Sequence, residues 1–426
     1  MSASSDDVDV LVAGGAMPPI ASVYQPIVDL SDLRTIGYEA LARWPDAPHL
    51  QPGAVFSAAR AAGALDELDR AAQQAALQGA HHAALPGSYA LFVNVEADTT
   101  PAVALTQQIA SARHHWAGRL VVEITERALL VDPGRVIDIA ESARAEGIGV
   151  ALDDVGSTAD SLTMLDFVAP DIIKIDGPLV RARRPTSSDA ATIAAIAAYT
   201  ETNPATLIVA EGIETAADLL QARSLGAGYG QGWYLGRAGQ LPTDLPDVHR
   251  PLPPFAARTT AGGNDSPSAI LEHLPARVGR KDLLAALSRH LEDSAAGAHG
   301  PVTVLATFQH ARNFTGAVAE RFSALASVHP HAFVVALGVD MPPHPAPGVH
   351  GTAITPSEPL AQEWTITVTA PHYFGALIAR ELGGPATEPD RHYAYTFTHD
   401  RPLVTAAART LMRRIHRTDA PLPPPH

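Results

Sequence analysis

Short apolar runs alternating with Ala-rich stretches of helical period constrain the first 245 residues more than any other feature. VYQPIVDL (23–30), IGYEALAR (36–43), YALFVNV (89–95), LVVEIT (120–125), GVALDD (149–154), DIIKID (171–176), TLIVAEG (206–212) and YGQGWYLG (229–236) have the length and composition of strands. Between them, AGALDELDRAAQQAALQGAHH, TPAVALTQQIASARHH, PGRVIDIAESARAEG, SSDAATIAAIAAYTETN and TAADLLQARSLG carry apolar residues at helical spacing. Such alternation calls for a mostly parallel sheet with helices outside it, since parallel neighbours need a crossover. Some eight strands over about 220 residues suit an α/β fold of the TIM-like (β/α)8 barrel kind.

A Pro/Gly/Ser/Thr-dense stretch follows, LPTDLPDVHRPLPPFAARTTAGGNDSPSA, which cannot hold a regular helix or central strand. It divides the 426 residues into an N-terminal extension (1–17), a barrel (18–245), a linker (246–276), a second, smaller α/β domain (277–418) and a Pro-rich tail (419–426). In the second domain GRKDLLAALSRHL, FTGAVAERFSALASV, PHYFGALIARELG and RPLVTAAARTLMRRI read as helices. PVTVLATF, HAFVVALGV, EWTITVTA and HYAYTFT read as strands. Residues 1–245 are expected to complete their own core and fold alone.

With no Cys, thiol catalysis, disulfides, Cys-ligated zinc and iron–sulfur centres are excluded. A formal net charge of −15 argues against nucleic-acid duplexes and anionic membranes as partners. The acidic start and the lack of a long apolar window predict no membrane insertion and a cytoplasmic location.

The chemistry gathers at the strand ends. Glu39, Asn94, Glu123, Asp153, Asp154, Lys174 and Glu211 each stand at or near the end of an apolar run. In a barrel those positions ring the carboxyl-end mouth, where residues of separate strands meet on a ligand. Carboxylates converging from several strands repel unless a divalent cation sits among them, and all-oxygen ligation favours Mg²⁺ or Mn²⁺ over zinc. Lys174 and Lys281 are the two lysines of a chain that otherwise writes its positive charge as Arg. A compact, tunable ammonium is thereby singled out at Lys174. The pairs His81-His82 and His114-His115 lack a metal-binding spacing and read as surface residues.

Tyr24-Gln-Pro-Ile27, Glu39-Ala-Leu41 with Arg43-Trp44, Phe92-Val-Asn-Val95, Glu123-Ile-Thr-Glu126, Asp153-Asp-Val-Gly156, Lys174-Ile-Asp176, Ala210-Glu-Gly-Ile-Glu214 and Gln231-Gly232 stand in the order and at the intervals of a known set. Over residues 18–240 the chain resembles the EAL-domain cyclic di-GMP phosphodiesterases. The resemblance implies a barrel that opens cyclic di-GMP to linear pGpG with two Mg²⁺ or Mn²⁺ ions, commonly as a homodimer. It implies that Glu39, Asn94, Glu123 and Asp153 hold one metal and that Asp153 bridges to a second held with Asp154, Glu211 joining the cluster. Lys174 would contact and help activate the attacking water, Gln231 would support it, Gln25 and Arg43 would face substrate, and Glu126 and Glu214 would be outlying acids. The sequence departs from the family at Val155-Gly-Ser-Thr158, usually Phe-Gly-Thr-Gly, at Glu96, usually Ser, and at Ala238, usually Pro. These departures keep open a receptor that binds the dinucleotide without cutting it; a third reading makes the barrel a scaffold for interactions. The short stretch before Tyr24 leads us to expect no synthase module.

Residues 277–416 resemble the DICT sensory domain, through TFQHARNF (307–314), EPLAQEWTITVTAPHYFGALIARE (358–381) and YAYTFTHDRPLV. This implies regulation of the barrel by an unknown small ligand or protein. Trp364, His372, Tyr373 and Phe374 are candidates for lining a ligand or interdomain surface, or for simple core packing.

Overall fold

The computed structural model describes residues 19–97, 118–125, 132–156, 159–255, 266–269, 277–298, 300–329, 332–382 and 391–415. Glu126, Ser157, Thr158, His114-His115, the stretch read as the helix TPAVALTQQIASARHH, the first 17 residues and the Pro-rich tail lie outside them.

Eight strands close into a barrel in the order β1 (Ala21–Asp29), β2 (Arg34–Arg43), β3 (Ala90–Val95), β4 (Arg119–Thr125), β5 (Gly149–Val155), β6 (Ile172–Ile175), β7 (Leu207–Ala210) and β8 (Tyr229–Gly230). From β2 to β8 neighbouring strands run parallel, while β1 is antiparallel to both β2 and β8. Only four residues separate β1 from β2, with Leu33 in the left-handed region (φ 59°). Four residues allow a hairpin and are too short for a parallel crossover.

Strand alternation divides the barrel into an outside that packs on helices and an inside with two levels. Leu91, Val93, Leu120, Val122, Val150, Leu152 and Ile173 face the helix layer. Phe92, Val121, Ala151, Ile172 and Val209 point inward and form an apolar lower level with Ile27 and Ile36. Asn94, Glu123, Asp153, Lys174 and Glu211 each come two residues later, one level up, about 6–7 Å nearer the mouth. Leu252, 1 % exposed, closes the base beneath the apolar level, and the Phe255 ring lies against Gly149. The start of the stretch read as a linker is therefore packed chain.

The second domain is a seven-stranded sheet. Its strands in chain order are β9 (Arg277–Arg280), β10 (Val302–His310), β11 (Ala332–Val339), β12 (Val349–Ile354), β13 (Glu363–Ala370), β14 (Tyr373–Glu381) and β15 (His392–Thr398), arranged β12-β11-β10-β13-β14-β15-β9. The helices Lys281–Ala296 and Gly316–Val328 cover one face through Leu284, Leu291, Phe322 and Leu325. Phe333, Val335, Leu337 and Val339 of β11 face the other way, into an apolar cluster continuous with the barrel's helix layer. Both faces of β11 are buried, hence the unbroken apolar run of AFVVALGV.

One expected element is corrected. PHYFGALIARELG does not form a helix: Tyr373–Glu381 is strand β14, paired antiparallel with β13 and β15. Its Ala, Leu, Arg and Glu favour helix locally, and pairing on both sides with burial from Phe374 to Ala379 overrides that preference. Strands β9 and β12 were not foreseen; they are the two edge strands of the sheet, and glycine and polar residues interrupt their apolar ones.

The two domains are joined by more than the chain between them. The helix Arg401–Met412 packs on the barrel helices Pro133–Ala145 and Leu165–Val168. Arg401 pairs with Asp166, Arg409 Nε donates to the Phe167 carbonyl at 2.8 Å, and Arg413 reaches Asp138 at 2.8 Å and also Glu141. Around these polar contacts, Leu411, Met412 and Ile415 share one apolar cluster with Ile137, Met164 and Phe167.

Candidate active site

Lys174 stands at the centre of the upper level. It is fully buried, with its Nζ 2.7 Å from Glu123, 2.7 Å from Glu211, 2.9 Å from Asp153 and 3.3 Å from Glu39. Four carboxylates meet one ammonium, a formal excess of three negative charges. Asn94 Nδ2 donates to Glu39 Oε1 at 3.1 Å, and Gln231 Nε2 donates to Glu39 Oε2 and, at 3.3 Å, to Gln25 Oε1. Gln25 in turn donates to the Gly236 carbonyl at 3.3 Å.

Burial and charge set the ionisation of this group. Burial works against the charge on Lys174, but Asp153, Glu123, Glu211 and Glu39 together outweigh it and raise its pKa well above the ordinary value. Burial also works against the Glu39 carboxylate, yet Lys174 and the hydrogen bonds from Gln231 and Asn94 leave its pKa lowered. Glu123 and Glu211 are pushed well above the carboxylate range, first by burial and then by neighbouring carboxylates, Glu39 at Glu123 and Asp153 at Glu211.

Adjacent residues of a regular strand point to opposite faces, so Asp153 and Asp154 could not both serve one site. The β5–β6 register breaks between Leu152 and Val155, and Asp154 takes a left-handed conformation (φ 57°) before Gly156 (φ 104°). This bulge re-aims the chain. Ligand oxygens of Asp153, Asp154 and Glu211 lie within 4.8 Å of one another. Among the described residues, Glu123 Oε2 and Gln231 Oε1 are buried without a hydrogen-bond partner. An all-oxygen set with acceptor atoms to spare fits a hard divalent cation.

The structure thus brings together Glu39, Asn94, Glu123, Asp153, Lys174, Glu211, Gln231 and Gln25, with Asp154 beside Asp153 and Glu211. Arg43, at the end of β2, donates to the Ala42 carbonyl at 2.8 Å. Glu214 is half exposed and lies 3.5 Å from Arg181. Glu96 pairs with Arg60 at 2.6 Å, and Val155 is fully buried. In the second domain Trp364 donates to Ser288 at 3.1 Å on one face of the sheet, whereas Phe374 packs with Val404 and Ala407 on the other. Trp364 and Phe374 therefore line no common pocket, and His372 sits in the exposed turn between β13 and β14. The reading of the sequence missed Arg181, whose signal would have been the paired glycines Gly177 and Gly212 beside it.

Among the described residues no helix is long and apolar enough to cross a membrane. Residues 19–238 match the EAL domain, and residues 269–382 match the sensory domain in diguanylate cyclases and two-component systems, DICT. The chain is 32% identical over 226 residues to the bifunctional diguanylate cyclase/cyclic di-GMP phosphodiesterase MucR of Pseudomonas aeruginosa, covering 50% of this chain and 32% of MucR. It is 30% identical over 225 residues to the probable cyclic di-GMP phosphodiesterase PdeB of Escherichia coli, covering 50% of this chain and 42% of PdeB. The matching half thus spans well under half the length of either relative. The solved cyclic di-GMP complex of the MucR phosphodiesterase is 28% identical with a TM-score of 0.45, covering 52% of this chain and 97% of that one.

Proposed function

The chain belongs to the EAL-domain family, and from that premise we propose that it hydrolyses one phosphodiester of cyclic di-GMP to give linear pGpG, using two Mg²⁺ or Mn²⁺ ions. The observation that supports this best is the buried excess of carboxylates around Lys174. Such an excess is costly in a low-dielectric interior unless protons or cations offset it. Glu39, Asn94, Glu123 and Asp153 would hold one ion; Asp153, Asp154 and Glu211 would hold the other. When bound, the ions supply the positive charge that a phosphodiester anion requires and lower the pKa of bound water.

The chain's own residues arrange the reaction. Lys174, whose pKa the surrounding carboxylates raise, is suited to act on the attacking water by charge and hydrogen-bond donation. It also holds carboxylates of four strands in one array. Gln231 is fixed through its amide nitrogen and offers Oε1 as an acceptor, suited to orienting the attacking water. Gln25 adjoins it, and Arg43 would offset phosphate charge on the substrate side.

Regulation by the second domain is part of the same proposal. Its support is the contact of Arg401 and Arg409 with Asp166 and Phe167, just downstream of Asp153-Asp154 in the chain. A shift of the sheet would reach the metal ligands through that segment. Coupling of this kind requires two states that differ in catalytic competence.

The direct test is turnover of cyclic di-GMP by the full chain with Mg²⁺ or Mn²⁺, with and without chelator, followed as pGpG release. Metal-dependent product is expected. Binding in Ca²⁺ without product under either metal would make the protein a receptor, and absence of both would end the assignment.

The raised carboxyls carry a pH prediction. Metal must displace protons from Glu123 and Glu211, so Mn²⁺ affinity should fall as pH is lowered. For both groups the folded pKa lies above the unfolded one, so their contribution to metal-free stability is present at low pH and lost as pH rises through the folded values. The gap in melting temperature between Mn²⁺-loaded and chelated protein should therefore widen from mildly acidic to mildly alkaline buffer. A constant or narrowing gap would show that these acids do not meet the metal.

A further inference from the structure

The loop that carries Glu211 leaves the sheet at once. Glu211 N donates to the Ile175 carbonyl at 2.9 Å, the last ladder bond between β7 and β6, and Gly212 then turns into the left-handed region (φ 60°). Toward β8 the loop is held by Ile213 N on the Gln231 carbonyl at 3.1 Å and by Tyr234 N on the Ile213 carbonyl at 3.0 Å. Toward β6 it meets Arg181, the last residue of the helix Gly177–Arg181, seven positions after Lys174.

Arg181 Nη1 donates to the Gly212 carbonyl at 2.9 Å and lies 3.5 Å from Glu214. Its guanidinium fills a gap that exists because two facing residues lack side chains. A Cβ on Gly212 would sit 2.1 Å from Arg181 Nη1 and 2.9 Å from Gly177 Cα, and a Cβ on Gly177 would sit 2.7 Å from the same Nη1. The pair with Glu214 is 38% and 44% exposed and contributes little by itself. The carbonyl bond and the fit between the glycines do the fixing.

We propose that Arg181 is a positioning residue that staples the Glu211 loop to the Lys174–Asp176 strand end and so sets where the Glu211 carboxylate stands for the metal. The proposal rests on the phosphodiesterase reading only for its kinetic arm. Partners of metal ligands commonly control affinity by about 10–100-fold, because a misplaced ligand costs more than the contact that placed it.

Calorimetry with Mn²⁺ on the full chain tests this without substrate. Arg181→Met should weaken Mn²⁺ binding roughly tenfold, with the melting temperature of the chelated protein unchanged. Arg181→Lys should fall between Met and wild type, since an ammonium can reach the Gly212 carbonyl but cannot fill the planar gap. At saturating Mn²⁺ the Met variant should show lowered kcat with KM for cyclic di-GMP unchanged. Wild-type Mn²⁺ affinity in a folded Arg181→Met variant overturns the proposal; if that variant does not fold, wild-type affinity in Arg181→Lys does so. If the wild-type chain binds Mn²⁺ yet leaves cyclic di-GMP uncut, the activity falls while the Arg181 comparison stands. Failure of the wild type to bind Mn²⁺ would overturn both.

Discussion

Replacing Lys174 with Met is expected to cut turnover of cyclic di-GMP by at least about 10²–10³-fold, the usual loss when one preorganised donor is removed from a water-excluded site. The side chain fits without a charge, so what is lost is the ammonium that four carboxylates share. Breaking a buried pair by removing one partner costs about 3–5 kcal/mol. Metal-free Lys174→Met should accordingly melt well below wild type in neutral buffer and recover as acid protonates the orphaned carboxyls. Saturating Mn²⁺ should restore much of the stability and little of the turnover, which separates the electrostatic role from the catalytic one. Lys174→Arg should not rescue it, because a planar, permanently charged fork cannot replace a compact point donor at a fully buried position. Near-wild-type turnover in Lys174→Met would refute the assigned role.

A chain ending at residue 245 is expected to aggregate or melt without cooperativity, against the expectation drawn from its strands and helices that it would fold alone. The cut removes Leu252 and Phe255 from the barrel base and removes the second domain from the helix layer it completes. Leu305, Phe333, Val335, Leu411, Met412 and Ile415 belong to the same apolar cluster as Ile137, Met164, Leu165 and Phe167. Each large apolar side chain moved from interior to water costs about 1.5–3 kcal/mol. A handful of them is comparable to the roughly 5–15 kcal/mol that holds a domain folded. Ending the chain at residue 255 should recover the base and not the helix layer, so its melting temperature should lie between the two. Light scattering and thermal melts decide the matter. A monomeric, cooperatively melting 1–245 chain with full turnover would show that the shared cluster is dispensable and would count against regulation of the barrel by the second domain.

The barrel was legible because its strands are short, apolar and separated by helical-period stretches, a rhythm compatible with few architectures. Its site was legible for the same reason: acids at the ends of several apolar strands have one place to meet. β14 misled because Ala, Leu, Arg and Glu speak for helix locally, and the bonds that made it a strand come from residues such as Thr365 and Tyr395, distant in sequence. Arg181 passed unnoticed because its meaning lies in two glycines, Gly177 and Gly212, of which one is far along the chain.

The sequence by itself determined which polar residues would gather at one end of a barrel, since strand periodicity fixes which side chains share a face and a level. Only the tertiary structure decided how Asp153 and Asp154, adjacent in one strand, can both reach the site: the bulge between Leu152 and Val155 breaks the periodicity that would send them to opposite faces. Only it decided, too, what covers the second face of β11. An unbroken apolar run such as AFVVALGV states that both faces are buried, but burial carries no address, and here the partner is the barrel itself.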